Sequence, residues 1–164
     1  MISEQEYLET SYSPDREYRD GVLVERNVGD VAHSFLQAML VTYMNRRRKQ
    51  RNIQAYTELR IRVREKWYPL PDVCVYTLPA PDERYPSRLP LLWIEILSED
   101  DRIIDVWNKA AELVENGVRY VWIINPNTLE SELRTSAGIS PVPDKTLRLP
   151  DSPIVIPLID VLSE

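Results

Sequence analysis

The sequence predicts an α/β fold in which a mixed central β-sheet is flanked by helices and preceded by an N-terminal hairpin. Residues 71–78 and 91–97 are almost continuously apolar, as strands covered on both faces would be. Two segments, beginning near Val31 and Ile103, repeat apolar residues at helical spacing. Between residues 17 and 25 an Asp-Gly pair interrupts a short strand-like run, and that pair supplies the positive φ angles of a tight turn.

In chain order, Asp20-Gly21 closes the hairpin, and Asp30 is placed to cap the helix that follows. Val31, Phe35, Met39 and Tyr43 run beside Ala32, Leu36, Leu40 and Met44, an i, i+4 double stripe that predicts one helix face packed on the sheet. In residues 58–64, Leu59, Ile61 and Val63 alternate with charges, which predicts a strand exposed on one face near a sheet edge. Residues 71–78 and 91–97 form its middle. Ile103, Val106, Trp107, Ala110, Leu113 and Val114 give a second amphipathic helix, stopped at Asn116-Gly117. Residues 120–124 read as another buried strand. The turn Asn125-Pro126-Asn127 separates it from a polar strand around residues 129–135. Prolines between 141 and 157 predict an irregular tail with one or two short edge strands.

With 164 residues, 43% of them hydrophobic, the chain can bury one sizeable core, and residues 1–164 are expected to form a single domain. The single cysteine, Cys74, lies in an apolar run and reads as a small buried hydrophobe in a reducing cytoplasm. Neither a signal peptide nor a run of bilayer length is evident, so a soluble cytoplasmic protein without membrane contact is expected. A formal net charge of −6 argues against indiscriminate coating of nucleic acid. Locally, however, Arg46, Arg47, Arg48 and Lys49 with Arg51 concentrate cations at a predicted helix end. They could complement the helix dipole or contact phosphates. Only four glycines are present and no Gly-rich phosphate loop, which removes nucleotide-triphosphate chemistry as a serious rival.

Glu95 is the sharpest anomaly, a carboxylate inside an apolar strand where either face would take it out of water. Such a charge must be neutralised, paired or bound to a cation. Asp72 poses the same question at the start of the neighbouring apolar run, directly after Pro71. Two buried carboxylates on adjacent strands repel unless a cation lies between them, and for an oxygen-only site magnesium or manganese is the natural ion. One histidine, one cysteine and no HExxH spacing disfavour zinc. As structural alternatives, Asp72 could cap a turn and Glu95 could pair with a buried arginine. Lys109 projects at the border of the second helix's apolar face, long enough to reach over the sheet. The residues alone favour a surface ion pair with Asp105, one turn earlier.

Pro71-Asp72-Val73, Glu95-Ile96-Leu97-Ser98, Asp105 to Lys109 and Asn116 to Pro126, taken in that order, resemble the Uma-two type family of restriction-endonuclease-fold proteins. Tyr18 to Gly21, His33 and Glu58 fall where that family has its matching features. The resemblance covers roughly residues 4–135 and lies in the ordered set. It implies a restriction-endonuclease-like PD-(D/E)xK core whose lysine has moved from the third motif position, here Leu97, to Lys109 on the next helix. It further implies Asp72 and Glu95 as metal ligands, with the Ile96 carbonyl as a third, and Glu58 as an auxiliary acid near the metal. Lys109 would then orient water or stabilise phosphorane charge. His33, with Gln37 one turn on, could contact substrate or Glu58, or simply sit satisfied between helix and sheet. The acidic run Glu99-Asp100-Asp101 would repel a phosphate backbone unless it caps the helix, which is the expectation.

Two functions compete. One is a magnesium- or manganese-dependent DNA endonuclease acting through Asp72, Glu95 and Lys109, with His33, Gln37, Arg46, Arg47 and Arg48 as possible substrate contacts. The other is a non-catalytic module that keeps the nuclease fold and holds nucleic acid or a protein partner. An open sheet edge and abundant aromatics also make a homodimer an expectation.

Overall fold

A computed structural model describes residues 1–164. The first half of the chain forms α1 (Glu4–Glu9), β1 (Glu17–Arg19), β2 (Val22–Val24), α2 (Val31–Arg46), α3 (Arg48–Arg51), β3 (Ile53–Thr57), β4 (Trp67–Tyr68) and β5 (Val73–Thr77). It continues with β6 (Leu92–Ile96), α4 (Ile103–Glu115), β7 (Tyr120–Ile124), β8 (Ser131–Thr135), β9 (Gly138–Pro141), β10 (Thr146–Arg148), β11 (Val155–Pro157) and α5 (Leu158–Leu162). The main sheet has six strands in the order β3-β5-β6-β7-β8-β9. Its β6–β7 pair is parallel and every other pair antiparallel, so the sheet is mixed. A parallel pair needs a crossover connection, and α4 provides it.

Side chains alternate across the central strands and divide the core in two. Val73, Val75, Leu92, Ile94, Tyr120 and Trp122 face α2, meeting Leu36, Leu40 and Met44. Cys74, Tyr76, Trp93, Val121 and Ile123 face α4, meeting Ala110 and Leu113. A fully buried leucine of this kind contributes about 2 kcal/mol by leaving water. Because odd positions of β5 and even positions of β6 face α2, Asp72 and Glu95 fall on the α4 side.

The hairpin forms as expected, with Asp20 at φ 50° and Gly21 at φ 90°. The Asp30 carboxylate accepts from the His33 N–H at 2.9 Å, capping α2. Gly117, at φ 107°, ends α4. Val31 and Phe35 depart from the expected stripe: they are 88% and 53% exposed, because α2 turns His33, Leu36 and Leu40 to the sheet instead.

The edge strand expected at residues 58–64 lies one segment earlier, at β3. Glu58 adopts φ 47°, a left-handed conformation that ends the strand. The charges that mimicked a solvent face are internally paired: Arg60 is buried against Asp15 at 2.6 Å and the Tyr7 carbonyl at 2.8 Å, and Arg62 meets Glu4 at 2.9 Å. The tail is more regular than its prolines suggested. A β10–β11 hairpin and α5 bury Ile154, Ile156, Leu158 and Val161 in the α2-side core. No helix is long and apolar enough to cross a membrane.

Candidate active site

The β5–β6 register pairs Val73 with Ile94 and Cys74 with Trp93, so one step further Asp72 lies opposite Glu95 on the same face. Directly opposed like charges are destabilising, and here the site surrounds them with donors. The Asp72 carboxylate is buried. Its Oδ2 accepts from the Ile96 N–H at 2.7 Å, while Oδ1 accepts from Arg26 Nη2 at 3.0 Å and meets His33 Nε2 at 3.3 Å. Glu95 Oε1 accepts from the Trp93 indole N–H at 2.8 Å and lies 3.2 Å from Lys109 Nζ. Its Oε2 accepts no hydrogen bond.

Lys109 turns inward and leaves Asp105 at the surface beside Arg102, 3.9 Å away. It donates to Glu17 Oε2 at 2.9 Å, and the same oxygen accepts from the Leu70 N–H at 2.7 Å. Glu17 comes from β1, so the N-terminal hairpin adds to a site built on the start of β5, on β6 and α4, and, through Arg26 and His33, on the β2–α2 link and α2. These groups line an open cavity of about 170 Å³ together with Glu25, Asn27, Ser98 and Asp101. Five carboxyl groups share the cavity with two fixed cations, Arg26 and Lys109, and with His33.

Burial pushes the Glu95 carboxyl up to about 7, against the pull of Lys109 and with the repulsion of Asp72 and Glu17. Burial opposes ionisation of Asp72 as well, but His33, the Ile96 N–H and Arg26 hold it below the usual carboxylate range. For Lys109 burial works against the charge, yet Glu17 and Glu95 outweigh it and keep the ammonium protonated. The Asp72 hydrogen bond raises His33.

The fit to a divalent cation rests on the donor set. Three donors surround an Asp72 carboxylate that offers about four lone-pair directions, and Glu95 keeps one oxygen unengaged. All the available ligands are oxygens, which suits magnesium or manganese. No three His, Cys, Asp or Glu side chains converge into a cage, so a cation here would complete its shell with the Ile96 carbonyl and water.

Several expected site residues have different surroundings. Glu58 adjoins Asp72, its N–H donating to the Pro71 carbonyl at 3.1 Å, and its half-exposed carboxylate binds at 2.6 Å the Arg26 guanidinium that Asp72 also holds. Gln37 Nε2 donates to the Asp72 backbone carbonyl at 2.9 Å, so it braces the strand end, and His33 meets Asp72 in place of Glu58. Arg46, Arg47 and Arg48 are not brought to the cavity. They sit at the far end of α2, where Arg47 binds Glu164 at 2.9 Å, Arg46 lies 3.5 Å from the same residue and Arg48 binds Gln54 at 2.9 Å. The acidic run does not cap α4, whose N-cap is Arg102. Asp101 instead accepts from the Ser98 N–H and from Asn27 Nδ2, each at 2.7 Å, and faces the cavity.

Arg26 and Glu17 went unrecognised as site residues in the sequence. Buried carboxylates announce that some cation is needed, but no spacing ties Arg26 to Asp72 across 46 positions.

The family model described as "Putative restriction endonuclease", Uma2, matches residues 4–155. The crystal structure of a putative nuclease belonging to DUF820 from Anabaena variabilis superposes with a TM-score of 0.81 at 23% identity, covering 99% of this chain and 98% of that one. At that identity the likeness bears on the fold, which is nuclease-like. No curated protein matches the chain.

Proposed function

The chain belongs to the Uma2 family of putative restriction endonucleases, and from that premise we propose that its acidic cavity hydrolyses phosphodiester bonds in DNA with magnesium or manganese. The observation that carries the reading is the opposition of Asp72 and Glu95 across β5 and β6 with Lys109 Nζ 3.2 Å from Glu95. Asp72, Glu95 and the Ile96 carbonyl would hold the cation, which supplies Lewis acidity toward a phosphoryl oxygen and acidifies water. Asp72 is held ionised and ready to ligate. Burial lifts the Glu95 carboxyl to about 7, and a cation held beside it would favour the ionised form that ligates.

Lys109 stays protonated, so its part is electrostatic: the ammonium orients the attacking water and stabilises charge accumulating on the phosphoryl oxygens. Glu17 fixes where that ammonium points, through one oxygen shared between Lys109 Nζ and the Leu70 N–H. His33 and Gln37 hold the side chain and the carbonyl of Asp72 respectively. No covalent enzyme intermediate is required.

The test is incubation of supercoiled plasmid, single-stranded circular DNA and RNA with the wild type in magnesium or manganese. Nicked and linear plasmid should appear, and should be absent with EDTA or with Lys109→Ala. Plasmid left intact by folded wild type under every metal condition would contradict the reading.

A further inference from the structure

We propose that Arg26 is a second catalytic cation of this site, held by Asp72 until a divalent cation binds and then turned to a non-bridging oxygen of the scissile phosphate, with Glu58 as its positioning residue. The inference rests on the metal-dependent phosphodiesterase reading above.

A phosphodiester is an anion, and the cavity it must enter carries five carboxyl groups beside two fixed cations. Lys109 is already shared between Glu17 at 2.9 Å and Glu95 at 3.2 Å. Arg26 is the other fixed cation lining the cavity. Its guanidinium presents five donors in a planar fork suited to phosphate oxygens. Nη1 donates to Glu58 at 2.6 Å and Nη2 to Asp72 at 3.0 Å, with a long contact of 3.5 Å to the Leu70 carbonyl. Nε lies 3.9 Å from Glu17.

These two grips respond differently to a bound cation. Asp72 is itself a proposed ligand, so a divalent ion draws on the same carboxylate and repels the guanidinium beside it. Glu58 does not line the cavity, and its side chain is 49% exposed. It therefore retains Nη1 while Nη2 is freed to face incoming phosphate. Two independent features support this placement. Glu58 holds a left-handed φ of 47°, a conformation unusual for a residue with a side chain, and it is this turn that presents the carboxylate to Arg26. Arg26 lies between β2 and α2, in a link with no ladder or helical hydrogen bonds to hold its backbone fixed.

The test uses manganese alone, then DNA. Calorimetric titration at pH 8 without DNA should give several-fold tighter manganese binding for Arg26→Gln, because a competitor for Asp72 is removed. Binding should be several-fold weaker for Glu58→Gln, because the guanidinium then depends more on Asp72. Plasmid cleavage should fall on the order of a hundredfold in kcat for Arg26→Gln, with Arg26→Lys recovering part of it. A purely structural role predicts weaker metal binding in both variants. If Arg26→Gln fails to fold, the half-exposed Glu58→Gln decides through kcat at saturating manganese, where the misplaced guanidinium should still lower it severalfold, and a wild-type kcat there, or manganese binding no weaker than wild type, overturns the proposal. Wild type that binds manganese and cleaves, beside an Arg26→Gln variant that cleaves as fast and binds no tighter, overturns this inference alone. Wild type that neither binds manganese nor cleaves removes the underlying reading as well.

Discussion

Replacing Glu95 with glutamine should change how the stability of the cation-free protein depends on pH. In the folded chain burial lifts this carboxyl to about 7, against an ordinary 4.5. A carboxyl raised on folding binds its proton more tightly in the native state, so its contribution is complete below 4.5 and is lost as pH climbs through 7. The gap of about 2.5, at roughly 1.4 kcal/mol for each unit of pKa, makes the wild type about 3 kcal/mol less stable at pH 9 than at pH 4 on this account alone. Glutamine cannot ionise and carries no such dependence. Costs of the substitution that do not vary with pH cancel in the comparison. Urea unfolding in EDTA, followed by tryptophan fluorescence at intervals from pH 4.5 to 9, should therefore show Glu95→Gln gaining on the wild type by about 3 kcal/mol across the range. Parallel pH profiles would refute the claim that Glu95 is a buried, strained carboxylate awaiting a cation.

Other expectations follow from the same geometry. Asp72 is held below its ordinary 3.8, so its stabilisation is complete above that value and lost as pH falls through the folded one; Asp72→Asn should lose less stability than wild type in acid unfolding below pH 4. Lys109→Ala should still bind manganese but cleave DNA at a rate lower by a factor on the order of 10² to 10³, measured as initial nicking rate. Leu40→Ala, deep in the α2-side core, should cost about 2–5 kcal/mol in urea unfolding without changing manganese affinity measured under folded conditions. Saturating manganese at a hundred times its dissociation constant should stabilise the wild type by about 2.7 kcal/mol, and should leave Glu95→Gln nearly unchanged.

The fold was legible where local chemistry and burial agree. Residues 71–78 and 91–97 read as central strands because both faces of β5 and β6 are covered, and Asp20-Gly21 and Asn116-Gly117 marked turns that do carry left-handed backbone. Alternation at residues 58–64 misled because Arg60 and Arg62 find partners in Asp15 and Glu4, far upstream, where a solvent-facing strand would leave them in water. The tail's prolines masked a hairpin and helix whose apolar residues complete the α2-side core.

In the site, Asp72 and Glu95 were conspicuous because a charge in an apolar run demands compensation. Helical periodicity favoured a surface pair of Lys109 with Asp105; the family resemblance implied the inward orientation that the geometry has. Arg26 and Glu17 are contributed by the hairpin and its link. Their placement comes from the pairing of that hairpin with β4 and its ion pairs to α4, long-range contacts with no local signature.

The central claim is tested most directly by calorimetric titration of manganese into wild-type protein and Glu95→Gln, with circular dichroism on both. Saturable binding to the wild type that disappears in the folded variant is the predicted result. A folded wild type that binds no manganese would contradict the account.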